Sequence, residues 1–305
     1  MISKLRIYLK FIRPFTIIVP ALGMVVGGLI ALSAHPREAV SHDGVFLYIA
    51  LGAFAAALLA AAANGFNQYC DREIDRLNKP DRPLPTGALT PRTALIFAVV
   101  LYVAALTAAW SIQPGGRREC FWIVSITAAI TYLYSAYPFR LKERGVAANI
   151  AIAVPRGLLL VVAGWSTVRT IVALEPWFMG AIFGLYLLGA SSTKDLSDLS
   201  GDREARSKTL FVQYGLNRSL WIIAPFFALP WLLMPLGSHY GLLSGSALIL
   251  SLVGLGLFLW GLYTIRLMLK YPDRLSIDGN HISWKHMYLM MIFAQVGLIG
   301  AYAGL

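Results

Sequence analysis

Long uninterrupted apolar runs recur along the whole chain and constrain its fold more than any other feature. The run before Asn64 reads LGAFAAALLAAAA, and comparable runs continue to the C-terminus. A helix needs about 20 consecutive apolar residues to cross the ~30 Å hydrocarbon core of a bilayer. Because lipid offers no hydrogen-bond partners, each run must satisfy its backbone internally as an α-helix. The runs do not alternate in polarity, so a β-barrel is not expected.

Nine such runs predict nine membrane helices. Their expected bounds are 14–33, 45–69, 92–112, 120–138, 147–166, 175–194, 217–236, 242–268 and 285–304. The chain is 58% hydrophobic and only 13% charged, whereas soluble domains carry about 25% charged residues. No polar linker is long enough to divide it. We therefore expect residues 1–305 to form one all-α polytopic membrane domain.

The basic residues predict the orientation of the protein in the bilayer. With the N-terminus in the cytoplasm, 21 of the 26 Lys and Arg residues lie in cytoplasmic segments, four lie on the other side, and Arg156 falls inside a span. An excess of Lys and Arg of this kind is typical of cytoplasmic loops. The net charge of +11 is therefore attributed to orientation and anionic lipid, and not to nucleic acid.

Two acid-rich segments lie on that same predicted cytoplasmic side. They read NGFNQYCDREIDRLNKPDRPLPTG (64–87) and STKDLSDLSGDREARSKTL (192–210), and they hold eight of the fifteen acidic residues. In the first, a continuous helix would place four polar residues on one face: Asn64, Asn67, Asp71 and Asp75. In the second, the same holds for three carboxylates if the helix persists past Ser200-Gly201: Asp195, Asp198 and Asp202.

Stacked carboxylates repel one another, so this spacing favours a bound cation. Oxygen ligands favour Mg²⁺ or Ca²⁺ over zinc, and Mg²⁺ usually completes its shell with water and substrate phosphates. Basic residues are interleaved with the acids, as a metal–diphosphate complex would require. They are Arg72, Arg76, Lys79, Arg82, Lys194, Arg203, Arg206 and Lys208. The alternative is ordinary interfacial charge with local salt bridges.

These two segments resemble the two signatures of the UbiA-type intramembrane prenyltransferases. The resemblance covers the whole chain and includes YLYSAYPFRLK (132–142) between the motifs. It implies a ring of nine helices around a cytoplasm-facing cavity that opens sideways to lipid. It also implies two Mg²⁺ ions that bridge the diphosphate of an isoprenyl donor. The sequence departs from the second signature at Ala205-Arg206 and at Phe211, where the family usually has glycine and proline.

The resemblance also implies roles for individual residues. The metal ligands, or partners of ligands, would be Asn67, Asp71, Asp75, Asp195, Asp198 and Asp202, and four of these acids are assigned to catalysis: Asp71, Asp75, Asp198 and Asp202. Tyr134 and Tyr137 would shield the allylic cation. Substrate contacts are expected from Asn64, Arg72, Lys142, Lys194 and Arg156.

The expected reaction is Mg²⁺-dependent transfer of an isoprenyl group from a prenyl diphosphate. Stabilising the leaving diphosphate allows the allylic C–O bond to ionise, and an apolar cavity keeps water from the cation. The motif details favour a small aromatic acid of a quinone or tocopherol pathway as acceptor. Chlorophyllide and an isoprenoid glyceryl phosphate are the alternative acceptors. A membrane terpene cyclase and a transporter are the alternative functions.

Arg156 bears on the acceptor because an intramembrane arginine costs about 2.5–3.5 kcal/mol on insertion scales. It can bind an acceptor carboxylate or phosphate. The alternative is a structural role, in which it pairs with backbone carbonyls freed by Pro155.

Overall fold

The computed structural model describes residues 2–34, 44–196, 209–274 and 280–303, with the backbone alone for residues 2, 3, 77 and 78. Within these ranges the regular secondary structure is helical, without β-strands. The helices are α1 (Ile2–Ile12), α2 (Phe15–Ser33), α3 (Val45–Cys70), α4 (Arg72–Asn78), α5 (Pro91–Trp110), α6 (Glu119–Ser135), α7 (Val146–Ala153), α8 (Leu159–Ser166), α9 (Leu174–Ala190), α10 (Leu210–Ala228), α11 (Leu233–His239), α12 (Ala247–Lys270) and α13 (Ile282–Tyr302). The all-α prediction is therefore confirmed for the described part of the chain.

Seven helical stretches in the described ranges are long and apolar enough to cross a membrane. Two of them are composite, because a π-helical turn (Val154–Leu158) joins α7 to α8 and a 3₁₀ turn (Leu229–Leu232) joins α10 to α11. Helices α6 and α9 have 17 residues each and are shorter than this. The count of nine membrane helices stays a prediction.

The long helices follow one another around a ring. In the described part, each packs against the next along the chain, and α13 packs against α2 to close the circle. Helices α2 and α8 touch through glycine: a Cβ on Gly27 would lie 2.7 Å from the Val161 carbonyl oxygen, and one on Gly164 would lie 2.6 Å from that of Met24. Small residues allow such close packing in lipid, where no hydrophobic driving force brings helices together.

Local breaks in two helices shape one end of this ring. Helix α3 ends at Cys70, and Asp71 has non-helical dihedral angles before α4 begins. The expected continuous helix from Asn64 to Asp75 is therefore interrupted. Helix α9 likewise ends at Ala190 and passes through a 3₁₀ turn (Ser191–Lys194) to Asp195. The predicted helical stacking of Asp195 with Asp198 and Asp202 lies mostly outside the described residues.

Candidate active site

A cavity of about 320 Å³ lies where these broken helix ends meet. Nine of the predicted site residues line it: Asn64, Asn67, Asp71, Asp75, Tyr134, Lys142, Arg156, Lys194 and Asp195. They come from α3, α4, α6, the 141–143 turn, the π-helical turn and the end of α9. Asp198 and Asp202 lie outside the described residues. The structure thus brings the first motif and the described start of the second to one cavity.

The two asparagines of α3 have different surroundings. The Asn64 amide donates to the Ile12 carbonyl oxygen and to the Thr16 hydroxyl, both at 2.8 Å, and so ties α3 to the junction of α1 and α2. The Asn67 amide donates to the buried Ser135 hydroxyl at 3.1 Å. Because the Asn67 side-chain nitrogen is used in this hydrogen bond, the side-chain carbonyl oxygen of Asn67 remains as the atom that can bind a metal ion.

Asp71 is paired with two cations from the segment that follows α6. The Lys142 ammonium donates to its carboxylate, and an Arg140 Nη2 lies 3.3 Å from the same oxygen. Arg140 also pairs with Glu143. Burial lowers the pKa of Lys142, and the adjacent Asp71 carboxylate opposes this shift. The pairing keeps a half-buried carboxylate compensated at the mouth of an apolar ring.

Asp75 is held in the same way by Arg82, which precedes the PLPTG segment. Arg82 Nη1 donates to Asp75 Oδ2 at 2.6 Å, and Asp75 is 5% exposed. Burial raises the pKa of Asp75, while the charge of Arg82 and its hydrogen bond act in the opposite direction. Sequence reasoning placed Arg82 among the interleaved basic residues but did not identify this pairing.

The end of α9 contributes the opposite wall of the cavity. The Lys194 ammonium donates to the Tyr134 hydroxyl at 2.8 Å and lies 3.6 Å from an Asp195 oxygen. This contact ties α6 to the second motif. Tyr134 therefore lies between the two motifs, and its expected role in shielding the allylic cation stays a prediction.

Arg72 and Tyr137 do not line this cavity. Arg72 donates to the Tyr69 carbonyl oxygen at 3.1 Å and lies 3.5 Å from Glu73. Tyr137 is 70% exposed, and the Arg140 guanidinium lies 4.4 Å from its ring centroid. Arg72 and Tyr137 line a separate aromatic groove of about 600 Å³ outside the ring. Arg72 therefore faces a different side from Asp71, although the two residues are adjacent in the chain.

Arg156 lies deeper, at the π-helical turn that contains Pro155. Within the described ranges its guanidinium has no hydrogen-bond or ion-pair partner, so the carbonyls freed by Pro155 do not hold it. It lines both the main cavity and an apolar cleft of about 70 Å³ that Leu160, Met287 and Met291 also line. π-Helical turns of this kind are frequent at functional sites.

Several further residues of the cavity were missed as site residues by the sequence reasoning. Arg140 and Ser135 belong to the YSAYPFRLK stretch that carried the family resemblance, which was their only signal. Arg13 adopts a left-handed conformation with φ 56° at the junction of α1 and α2. Nothing in the local sequence around Arg13 distinguishes it from the other basic residues near the N-terminus.

The donor set of the cavity fits a hard divalent cation. Asn67, Asp71, Asp75 and Asp195 offer only oxygen ligands, which suit Mg²⁺. Among the described residues, no three His, Cys, Asp or Glu side chains come close enough to hold a metal ion by themselves. The described carboxylates therefore fit Mg²⁺ as part of a shell that other oxygen donors complete.

Comparison with known proteins points to one family. A sequence model of the UbiA prenyltransferase family matches residues 21–276. The chain is 31% identical over 301 residues to the digeranylgeranylglyceryl phosphate synthase of Methanopyrus kandleri, covering 99% of this chain and 100% of that protein. It is 27% identical over 288 residues to the synthase of Methanococcus aeolicus, covering 94% of each.

Solved structures share the same fold. A UbiA homologue from Archaeoglobus fulgidus bound to GPP and Mg²⁺ superposes with a TM-score of 0.72 at 20% identity, over 97% of this chain and 99% of that one. A structure described as digeranylgeranylglyceryl phosphate synthase in membranes gives 0.72 at 23% identity, over 99% of this chain and 100% of that one.

Proposed function

The chain belongs to the UbiA prenyltransferase family and is an integral membrane prenyltransferase, and we propose that its acceptor is an isoprenoid glyceryl phosphate. The donor would be a prenyl diphosphate, as in the Archaeoglobus fulgidus homologue bound to GPP and Mg²⁺. The curated relatives named digeranylgeranylglyceryl phosphate synthase support this acceptor. They give no support to the aromatic acid expected from the sequence, so the alternative acceptor replaces it.

The observation that carries the proposal is the position of Arg156 and Lys194. Both line the polar cavity and the apolar cleft. An acceptor with a phosphate and an isoprenoid chain needs this combination, because its phosphate requires cations and its chain requires an apolar wall. The acceptor phosphate would contact Arg156 and Lys194 while the chain follows Leu160 and Met291.

The donor diphosphate would lie at the other end of the cavity. Asn67, Asp71, Asp75 and Asp195 would hold Mg²⁺, together with Asp198 and Asp202, and the ion would neutralise the charge of the leaving diphosphate. Arg140, Lys142 and Arg82 would bind the remaining phosphate oxygens. The allylic C–O bond breaks with its electron pair leaving on the diphosphate. The glyceryl hydroxyl would then form the new C–O bond to the allylic carbon and release its proton to solvent.

The same reasoning proposes where the reaction occurs. The topology predicted from the sequence puts 21 of the 26 basic residues, together with both motifs, in cytoplasmic segments. We therefore place the site and the N-terminus on the cytoplasmic side. Both substrates carry long apolar chains that are already dissolved in the bilayer, which suits a site formed inside a ring of membrane helices.

An acceptor panel tests this proposal. Purified protein receives one radiolabelled prenyl diphosphate with hydroxybenzoate, homogentisate, dihydroxynaphthoate, chlorophyllide, a prenylglyceryl phosphate or the matching prenylglycerol. We expect product with the prenylglyceryl phosphate and little with the prenylglycerol, which lacks the anion. Transfer to an aromatic acid instead would contradict the acceptor, and cyclic hydrocarbon from the donor alone would indicate a terpene cyclase.

A substitution tests the position of the acceptor phosphate. Arg156→Gln should raise the acceptor KM and leave the donor KM nearly unchanged. Losing one charge-assisted contact costs about 1.5–3 kcal/mol, or roughly one to two decades in affinity. Arg156→Lys, which keeps the charge, should recover part of the loss. An equal rise in both KM values would contradict this placement.

A further inference from the structure

A second groove lies on the outer surface of the ring, between α10 and α12. It has a volume of about 720 Å³, within the ~300–1,000 Å³ typical of ligand sites. Its walls are apolar and include Trp221, Pro225, Leu262 and Ile265, and it ends at Arg266 and Lys270. Among the described residues that line it, these two cations are the only charged ones.

The shape of the groove follows from the way the two helices pack. A Cβ on Gly261 would lie 2.6 Å from the Phe227 carbonyl oxygen, so α10 and α12 touch at this level. From this level towards Lys270, α12 lines the groove with Leu262, Ile265 and Leu269, and α10 lines it with Pro225 and Trp221. The two cations therefore lie at the end of the groove that is farther from the Gly261 contact.

The length of the groove matches one leaflet of a bilayer. Eight residues separate Leu262 from Lys270, which is about 12 Å along α12 at 1.5 Å per residue. Half of the ~30 Å hydrocarbon core is about 15 Å. Trp221 is 68% exposed opposite the cationic end, and tryptophan is enriched at the headgroup level. The cations thus lie where a lipid headgroup would be.

The cationic end lies on the same side of the molecule as the catalytic cavity. Lys270 is the last residue of α12, and the Tyr271 carbonyl oxygen lies 2.8 Å from the His281 ring. The neighbouring Asn280 and Trp284 line the catalytic cavity. The lipid that fits this groove therefore comes from the leaflet on that side.

Arg266 and Lys270 are available to an anion. They are one helical turn apart and both exposed. Within the described ranges neither has an ion-pair partner, and Lys270 contacts only the Tyr271 ring, at 5.2 Å. Basic pockets between membrane helices at the cytoplasmic side are typical sites for anionic headgroups.

We propose that the groove between α10 and α12 binds one anionic glycerophospholipid of the surrounding leaflet. Arg266 and Lys270 hold its phosphate, Trp221 packs against its glycerol region, and one chain lies along Ile265 and Leu262 towards the level of Gly261. This site is separate from the catalytic cavity and does not depend on the acceptor proposed above.

Native mass spectrometry of the full chain in detergent tests the site. The protein is mixed with equal amounts of dioleoyl phosphatidylglycerol and dioleoyl phosphatidylcholine, and the bound lipid is identified. We expect one retained phosphatidylglycerol, with the double variant Arg266→Gln/Lys270→Gln weakening its binding about tenfold or more. The matched control Arg92→Gln/Lys285→Gln removes two exposed cations outside the groove and should stay within about twofold of the unmodified protein.

A third variant removes the space and keeps the charges. Ala224 lines the groove, and Ala224→Phe should fill it and displace the lipid. If Arg266→Gln/Lys270→Gln and Arg92→Gln/Lys285→Gln weaken phosphatidylglycerol binding equally, the lipid is attracted nonspecifically to the basic surface, and the proposal is overturned. Undiminished phosphatidylglycerol binding by Ala224→Phe, or equal retention of phosphatidylcholine, would also overturn it. If either Arg266→Gln/Lys270→Gln or Ala224→Phe does not stay monodisperse, the lipid binding of the other groove variant decides the test.

Discussion

The buried pair of Asp75 and Arg82 allows a quantitative prediction. Substituting Arg82 by Met would leave the Asp75 carboxylate, which is 5% exposed, without the guanidinium 2.6 Å away. Breaking a buried ion pair costs about 3–5 kcal/mol because an uncompensated charge remains. The Arg82 side chain is 17% exposed, so water screens part of this interaction. We expect the free energy of unfolding to fall by about 3 kcal/mol at pH 7.

This loss should depend on pH. Burial raises the pKa of Asp75 in the folded protein, and Arg82 is the main influence that opposes the shift. The folded state therefore keeps this proton at pH values where the unfolded state, with a pKa of about 3.9, has lost it. The stability that this proton contributes is fully present at pH values below the pKa of Asp75 in the unfolded chain. It is lost as the pH rises through the pKa of Asp75 in the folded protein. Removing Arg82 raises the folded pKa further, so Arg82→Met should cost little at pH 4 and most at pH 7.

The measurement is titration with SDS in maltoside micelles, followed by circular dichroism, with EDTA present so that no metal replaces the lost cation. Asp75→Asn/Arg82→Met should regain most of the loss, because a neutral amide has no charge to compensate. Arg76→Met is the matched control: Arg76 lies 2.7 Å from Glu73 with both side chains exposed, and such pairs contribute about 0–1 kcal/mol. An equal loss from Arg82→Met and Arg76→Met, or a loss independent of pH, would refute the reasoning.

Three further outcomes are expected. Asp71→Asn or Asp198→Asn should abolish turnover in protein that remains folded, and EDTA should do so reversibly; full activity in EDTA would exclude the metal. A cysteine introduced in the 79–90 loop should react with an impermeant thiol reagent only from the cytoplasmic face, and one near Arg117 only from the other face; the reverse pattern would invert the topology. Ser135→Ala should raise the Mg²⁺ concentration for half-maximal activity several-fold and weaken Mn²⁺ binding measured by spin resonance, whereas Ser135→Thr should restore both; unchanged Mn²⁺ binding in Ser135→Ala would argue against an orienting role.

The sequence was sufficient for features that depend on local pattern. The apolar runs predicted the long helices, since each run must become a helix in lipid. The spacing of Asn64, Asn67, Asp71 and Asp75 placed these residues at one cavity, although the helix between them is interrupted at Asp71. Helical periodicity was a good guide here because the Asp75 amide still donates to the Asp71 carbonyl oxygen at 2.8 Å across the break.

Features that depend on distant packing could not be predicted in this way. The cations that hold Asp71 come from residues 140 and 142, about 70 positions further along the chain. Arg72 and Lys142 were both expected to contact substrate, but only Lys142 lines the cavity. The aromatic acid expected as acceptor lacks support from the relatives for a related reason. The motifs report the diphosphate chemistry, whereas the proposed acceptor site consists of Arg156, Lys194 and the cleft, which local sequence does not bring together.

The pairing of Asp71 with Lys142 and Arg140 leads to a last prediction, about the order of binding. Mg²⁺ alone must compete with these two cations for the Asp71 carboxylate. Diphosphate offers the cations new partners and so frees the carboxylate for the metal. The two ligands should therefore bind with positive coupling, which is reciprocal for binding free energies. A coupling of 1–3 kcal/mol, the usual range, corresponds to roughly 5–150-fold.

Calorimetry with the metal and inorganic diphosphate, separately and together, measures this coupling. Lys142→Gln should bind Mg²⁺ alone more tightly than the unmodified protein does, because one competitor is gone, and should show weaker coupling. Arg72→Gln is the control, since it removes an equal charge one residue from Asp71 but outside the cavity. Tight Mg²⁺ binding to the unmodified protein without diphosphate, or the same coupling in Lys142→Gln, would show that the cations do not exchange partners. In that case Lys142 and Arg140 would both remain on Asp71 when the donor binds, and the diphosphate would have to be held by other cations of the cavity, such as Arg82.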